Sequence, residues 1–207
     1  MKGNLGVLIS GRGSNLQAII DATSAGRLDA RVRVVVSNRA DAQGLVRAQD
    51  AGIETLVISH RAFASREAFD SAVVAELAAR EVALVCLAGF MRLLSPVFIN
   101  AYPNRILNIH PALLPAFPGL DAQHQAWEHG VKVTGATVHI VTADLDAGPI
   151  VVQKAVPVFD DDTSETLAAR ILVEEHRIYP EAIRIVLDGG WRIEGRRFIR
   201  SAQSAPA

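Results

Sequence analysis

Residues 106–115 read ILNIHPALLP, and inside this apolar run Asn108 and His110 stand on either side of an isoleucine, immediately before Pro111. A carboxamide and an imidazole both donate hydrogen bonds, so the pair suits a carbonyl oxygen that turns negative when its carbon is attacked. Alternate residues of a strand share one side, and at the carboxyl end of an open parallel sheet that side opens on the crevice where ligands bind. Pro111 withholds the next ladder donor and turns the chain away. A histidine alone is more often a core or surface residue; the paired polar side chains and the proline stop favour a site here.

A second candidate is Asp146, in the stretch ADLDAGPI at 143–150. A carboxylate beside His110 would favour the imidazolium, orient its ring and relay protons through water. Taken by itself the stretch reads more simply as an Asp/Gly turn.

A third is ISGRGSNLQAII at 9–20, a glycine-rich turn leading into a helical pattern. Main-chain N–H groups at a helix start attract anions, and Ser14 and Asn15 can add side-chain donors. The bland reading is a tight turn in which Gly11 and Gly13 serve positive φ alone. For a dinucleotide the third glycine is missing, Leu16 standing in its place, and Ser37-Asn38-Arg39 lacks the acid that binds the ribose. No lysine follows as in a nucleoside triphosphate loop. A terminal phosphate monoester is the anion that fits best.

The fourth is AGFMRLLSP at 88–96, which could form an apolar wall for a flat heterocycle or serve ordinary strand-to-helix packing.

The elements that must position these residues follow from the hydrophobic period. Short β-branched runs at Leu5–Ile9, Val32–Val36, Thr55–Ile58, Val82–Ala88 and Ile106–Ile109 read as strands. Leu16–Ala25, Ala42–Ala51, Arg66–Arg80 and Pro96–Tyr102 read as helices between them. Continuous apolar character implies strands buried on both faces, hence a doubly wound, Rossmann-like α/β sheet of mostly parallel strands. Beyond Pro118 a helical DAQHQAWEHG, capped by Asp121, precedes two β-rich stretches that suggest a C-terminal antiparallel extension. A long helix capped by Asp162 or Thr163 runs to about Leu187, WRIEGRRFIR resembles a terminal hairpin, and residues 201–207 read as a disordered tail. His124 and His129 are expected on the exposed side of their helix, and His139 toward the core or the site.

With 207 residues, half of them hydrophobic, the chain suits one domain over 1–207. Its 21 Lys+Arg balance 22 Asp+Glu, which gives no basic field for nucleic acid. No signal peptide or run of ~20 apolar residues for a membrane stands out, and Cys86 lies in an apolar run where a structural thiol is expected. A soluble cytoplasmic protein is expected.

In ISGRGSNLQAII, AGFMRLLSP, LNIHPALLPAFPGL, TVHIVTADLDAGPI and EEHRIYP, in order over about residues 3 to 188, the chain resembles the phosphoribosylglycinamide formyltransferases, a branch of the folate-dependent formyltransferase family. Relatives that formylate tRNA carry an extra nucleic-acid-binding domain and those that hydrolyse formyltetrahydrofolate an extra regulatory one, for which this length leaves no room. The resemblance implies formyl transfer from 10-formyltetrahydrofolate to the primary amine of glycinamide ribonucleotide in purine biosynthesis, by direct attack through a tetrahedral oxyanion, with no metal and no covalent enzyme intermediate, in a monomer or homodimer. It gives Asn108, His110 and Asp146 the catalytic positions, with Asn108 and a protonated His110 on the oxyanion and Asp146 keeping the ring charged. Gly13, Ser14 and Asn15 would hold the phosphate and Glu175 the ribose or glycinamide part. Arg66 would meet the glutamate tail of the folate. Met91, Arg92, Leu93, Leu94 and Asn108, with Thr142, Ala143, Asp144, Leu145 and Asp146, would frame the pterin. Asp121 replaces a histidine found in some members, so no auxiliary role passes to it. Two rivals stand beside this reading: a metal-dependent hydrolase using His110, Asp144 and Asp146, or a hydrolase of the formyl folate; a non-catalytic nucleotide-binding module is a third possibility that keeps GRGSN alone.

Overall fold

The computed structural model describes residues 3–201, so the tail expected to be disordered lies, apart from Ser201, outside the described residues. Seven strands form one sheet in the order β3-β2-β1-β4-β5-β6-β7: β1 (Asn4–Ile9), β2 (Arg31–Ser37), β3 (Glu54–Val57), β4 (Leu84–Leu87), β5 (Ile106–His110), β6 (Val133–Ile140) and β7 (Ile150–Pro157). The first five are parallel, and β6 and β7 add antiparallel at one edge. The hairpin β8 (Trp191–Glu194) and β9 (Arg197–Arg200) is a separate two-stranded sheet. Val82–Ala88 narrows to β4, because Val82 follows Glu81 at positive φ and closes the preceding helix instead of entering the ladder.

Strand side chains alternate between two cores. Leu5, Val7, Ile9, Leu107 and Ile109 pack with α1 (Ser14–Ser24), α2 (Gln43–Asp50) and α6 (Ser164–Asp188). Leu8, Val34, Val36, Val85 and Ile106 pack with α3 (Arg66–Ala78) and α4 (Pro96–Ala101) on the other face. Gly6 is needed for this second packing, since a Cβ there would lie 2.7 Å from a Leu77 methyl. Helices on both faces make the sheet doubly wound, as the continuous apolar strands imply.

Helix α6 is capped by Thr163, which exchanges hydrogen bonds with Thr166, while Asp162 instead clamps Arg170. Its Tyr179 hydroxyl lies 2.9 Å from the Leu87 carbonyl and 3.1 Å from that of Leu107, tying the ends of β4 and β5 together just before Asn108. Asp121 occupies the cap position of α5 (Ala122–Glu128) but, with φ 57°, makes no side-chain cap bond. With this left-handed backbone the carboxylate makes no bond to the helix N–H groups, so the expected cap is corrected to a turn residue. His129 is exposed, whereas His124 is half-buried in a stack on Trp127.

Candidate active site

Strand β1 feeds α1 on one face and β4 leads toward α4 on the other, so the chain divides between them and leaves a crevice at the carboxyl ends of β1, β4 and β5. Ser10 ties the start of that crevice together. Its N–H donates to the Gly89 carbonyl at 3.0 Å, and its hydroxyl donates to Asn38 Oδ1 at 2.7 Å while accepting from the Met91 N–H at 2.9 Å.

On β5, Ile106 belongs to the α3/α4 core and Leu107 and Ile109 to the opposite one, so Asn108 and His110 share the first side by alternation. The antiparallel register sets His139 opposite Asn108 and Thr137 opposite His110. Here the loops after β5 and β6 fold against the strand ends. Thr137 anchors the first loop: its hydroxyl donates to the Ala112 carbonyl at 2.6 Å and accepts from the Leu114 N–H at 3.1 Å. Asp146 is delivered by the second loop with φ 49°, a strained conformation held by the bonds its carboxylate makes.

Those bonds converge. Asp146 Oδ2 accepts from the Gly119 N–H at 2.8 Å and lies 3.5 Å from His110 Nδ1, while Oδ1 lies 3.6 Å from His139 Nε2. His110 Nε2 donates to the Phe117 carbonyl at 2.8 Å. His139 Nδ1 donates to the Ile140 carbonyl at 3.1 Å, which in a neutral ring leaves Nε2 to accept from Asn108 Nδ2 at 3.2 Å. His110 and His139 are buried, at 4% and 2% exposure. The imidazole, carboxamide and carboxylate anticipated from sequence therefore meet in one pocket, joined by a second imidazole.

The electrostatics qualify the expected charge state. Burial lowers the His110 pKa below its ordinary value, and His139 adds to this, against the upward pull of the Phe117 carbonyl and of Asp146. Burial alone would raise the Asp146 carboxyl, but the adjacent His139 ring, the hydrogen bond from the Gly119 N–H and the nearby His110 outweigh it and hold the acid below the usual range. Burial therefore works against the charged ring expected from sequence, while Asp146 works for it.

At the GRGSN loop, Gly13 caps α1 with φ 70°, and a Cβ there would lie 2.6 Å from Gly44 Cα. Gly11 needs no left-handed φ; its carbonyl accepts from the Gly44 N–H at 3.0 Å. The first-turn N–H groups of α1, with the Ser14 side chain, make the kind of helix start that attracts anions. Asn15 is turned from it, donating through Nδ2 to Glu175 Oε2 at 2.6 Å, and its buried Oδ1 has no partner among the described residues. Glu175 is 6% exposed; burial raises its pKa against the Asn15 bond and the Arg12 charge. A groove of about 460 Å³ adjoins Ser14 between α1 and α6, with Arg27, His176 and Arg177 on its walls.

The AGFMRLLSP segment divides by exposure. Met91 and Leu93 stand out at 65% and 57%, Leu145 faces solvent on the Asp146 loop at 53%, and Leu94 is buried in the α3/α4 core. Exposed large apolar groups beside a polar pocket suit a flat heterocycle with a polar edge. Thr142 is half-buried, Ala143 and Asp144 are exposed, and Arg92 lies over the Phe69 ring at 5.3 Å. Arg66 begins α3, one turn before Phe69, with only a loose 3.8 Å contact to Glu67.

Sequence reasoning left His139 open and missed Thr137, Gly44, the Phe117 carbonyl and the Gly119 N–H. Polar residues at alternate positions of TVHIV were the available signal for the first two; main-chain groups carry none. Among the described residues no cluster of three His, Cys, Asp or Glu could hold a metal, and no helix is long and apolar enough to cross a membrane.

The chain is 50% identical over 186 residues to the phosphoribosylglycinamide formyltransferase of Escherichia coli (strain K12), covering 90% of this chain and 88% of that protein. It is 49% identical over 188 residues to the trifunctional purine biosynthetic protein adenosine-3 of Homo sapiens, of which it spans 19%. The crystal structure of glycinamide ribonucleotide transformylase 1 from Symbiobacterium toebii superposes with a TM-score of 0.95 at 59% identity, over 96% of this chain and 94% of that one. The formyl transferase family model matches residues 4–183, from β1 into α6 and so across every loop that carries the pocket, and the chain belongs to that family.

Proposed function

We propose that the chain is a phosphoribosylglycinamide formyltransferase, one domain that moves the formyl group of 10-formyltetrahydrofolate to the primary amine of glycinamide ribonucleotide in the cytoplasm. The observation that carries this reading is the convergence of Asn108, His110 and Asp146 at one strand end, with an anion-binding helix start across the crevice. Met91, Leu93 and Leu145, with the main chain of 142–146, present the mixed apolar and polar surface a pterin needs; Arg92 and Arg66 lie beyond them for its acidic tail. Gly13 and Ser14 bind the phosphate. Asn15 acts through Glu175, orienting a carboxyl group for the ribose or glycinamide part.

The amine attacks the formyl carbon, and the carbonyl oxygen becomes an oxyanion. The free hydrogen of Asn108 Nδ2 stabilises it, and His110 Nε2–H joins when the incoming oxygen replaces the Phe117 carbonyl as its acceptor. Neutral His110 takes at Nδ1, through water beside Asp146, the proton that the attacking amine sheds. The resulting imidazolium is stabilised by Asp146, and its proton passes to the departing folate nitrogen as the carbon–nitrogen bond breaks. Proton and electron pairs balance without a covalent enzyme intermediate. Each well-placed donor to such an oxyanion contributes about 3–4 kcal/mol to barrier lowering.

The direct test is a spectrophotometric assay with 10-formyltetrahydrofolate and glycinamide ribonucleotide, run beside initiator methionyl-tRNA as acceptor and water alone. Formyl transfer confined to the ribonucleotide is expected. Release of tetrahydrofolate at the same rate in water alone would make the protein a hydrolase, and binding without turnover a nucleotide-binding module.

A further inference from the structure

Three polar residues form a row across β5, β6 and β7. The register sets Thr137 opposite His110 and Gln153 opposite Thr137. Thr137 is fully buried, whereas Gln153, on the edge strand, is exposed. The Gln153 amide nitrogen nevertheless reaches inward, donating to the Leu114 carbonyl at 2.8 Å and to Thr137 Oγ1 at 2.9 Å. Its orientation follows from the partners, because a carbonyl oxygen can only accept.

These two bonds complete a network. Thr137 has one hydroxyl proton, which goes to the Ala112 carbonyl, and its lone pairs take the Leu114 N–H and Gln153. Among the described residues, Thr137 and Gln153 are the two side chains that hydrogen-bond the main chain of 111–115. The far end of the same loop is held by Gln125, whose Nε2 donates to the Leu120 carbonyl at 2.7 Å. Between these anchors Phe117 carries φ 52° and Gly119 φ 86°. A left-handed phenylalanine is strained and persists only where its surroundings hold it. That strained stretch is the one that meets the catalytic groups: the Phe117 carbonyl accepts from His110 Nε2, and the Gly119 N–H donates to Asp146.

We infer that Gln153 is a positioning residue for His110 and Asp146, acting through the loop whose first anchor it completes. The inference rests on the formyl-transfer reading above and adds to it a residue on the edge strand that touches neither substrate. Without the two donors of Gln153, the Leu114 carbonyl and one Thr137 lone pair turn to water, and the loop gains freedom where it leaves β5. The loss falls on the alignment of the imidazole and the carboxylate, whereas the ribonucleotide site is built from α1 and α6 at the other end of the crevice. A displacement of about 1 Å at reacting groups can slow a reaction about a hundredfold.

The test is Gln153→Met, which keeps the length of the side chain and removes its donors. Its kcat should fall roughly ten- to hundredfold with the ribonucleotide KM within about twofold of wild type. Its Tm should stay close to wild type, because the position is exposed. Proton NMR of the His110 Nε2–H supplies a readout that needs no turnover: held on the Phe117 carbonyl at 2.8 Å, this proton should exchange slowly in the wild type and be lost to exchange with water in the variant. Gln153→Ala removes the same donors without a long apolar chain and should behave alike. Gln153→Lys restores donors of similar reach and should recover most of both the rate and the signal. Wild-type kcat with a retained signal in the Met and Ala variants would overturn the inference, whatever their Tm, and so would a Lys variant no faster than the Met variant. A wild type without formyl transfer would instead reject the enzymatic reading, while the His110 signal still decides the role of Gln153.

Discussion

The two ends of the crevice are built on opposite rules. Around His110 the polar groups are mostly satisfied by one another: Phe117 receives one ring nitrogen, Gly119 holds Asp146, and His139 accepts from Asn108. Around Asn15 the protein leaves capacity unused, with a buried amide oxygen that has no partner among the described residues and a buried carboxyl raised by desolvation. A group that must change charge during a reaction needs its surroundings arranged beforehand, because reorganising dipoles at that moment adds to the barrier. A group that recognises a ligand needs the reverse, since a hydrogen bond already made inside the protein contributes nothing to binding. The contrast separates residues that set turnover from residues that set affinity.

The sharpest way to break it is Asp146→Asn. The amide keeps an acceptor for the Gly119 N–H but loses the charge that stabilises the imidazolium, so kcat should fall by about 10³–10⁴ while the ribonucleotide KM changes little. The pH profile carries a second signature. Wild-type kcat/KM should fall on the acid side with an apparent pKa below the ordinary 6.5 of histidine, because burial favours the neutral His110. Asp146 pulls that value upward, so its removal should move the acid limb to still lower pH. An unshifted limb in a folded variant would assign the titration to another group.

Glu175→Gln probes the other end and should split the kinetic constants the opposite way. Gln can still accept from Asn15 but withholds the charge and the acceptor offered to the ligand, so the ribonucleotide KM should rise roughly ten- to hundredfold with kcat within a few-fold. Stability should move in the other sense. A carboxyl whose folded pKa is raised stabilises fully below its unfolded value near 4.5 and loses that contribution as pH climbs through the folded value. The Gln variant escapes that loss, so its Tm at pH 7 should exceed the wild-type Tm. A Tm below wild type, with KM unchanged, would make Glu175 a structural partner of Asn15 and nothing more.

How much of this was legible in the chain depended on whether a residue's role was local. The parallel strands announced themselves because burial on both faces demands uninterrupted apolar runs, and a cap at Asp162 or Thr163 because capping is settled within one helical turn, though only the structure chooses Thr163. Asn108 and His110 were visible as polar side chains where a strand should have stayed apolar. His139 resisted, since the same alternation allows it to fill a core, and only pairing with β5 places it against Asn108. Asp121 misled because sequence shows a capping side chain but not a φ of 57°. The charge on His110 is read in sequence from its one acidic neighbour, whereas the burial and the second imidazole that oppose it appear only in the fold. Gly44 was invisible for the plainest reason: its contribution is the absence of a side chain, felt by a residue on a different element.

That last pair gives the smallest and most local test, Gly13→Ala. The added methyl meets Gly44 Cα at 2.6 Å, a backbone contact that no rotamer change relieves, and alanine must also hold φ 70°. Left-handed strain of this kind costs about 1–3 kcal/mol. The loop should yield by roughly half an ångström or more, lowering stability by at least that energy and raising the ribonucleotide KM several-fold, because the N–H groups that meet the phosphate lie on the displaced turn. The folate KM and the acid limb of the pH profile should stay at wild-type values, since neither depends on α1. A loss of kcat equal to that of Asp146→Asn would mean that the two ends of the crevice are mechanically one unit, and that the division between turnover and affinity drawn from their hydrogen bonding does not hold.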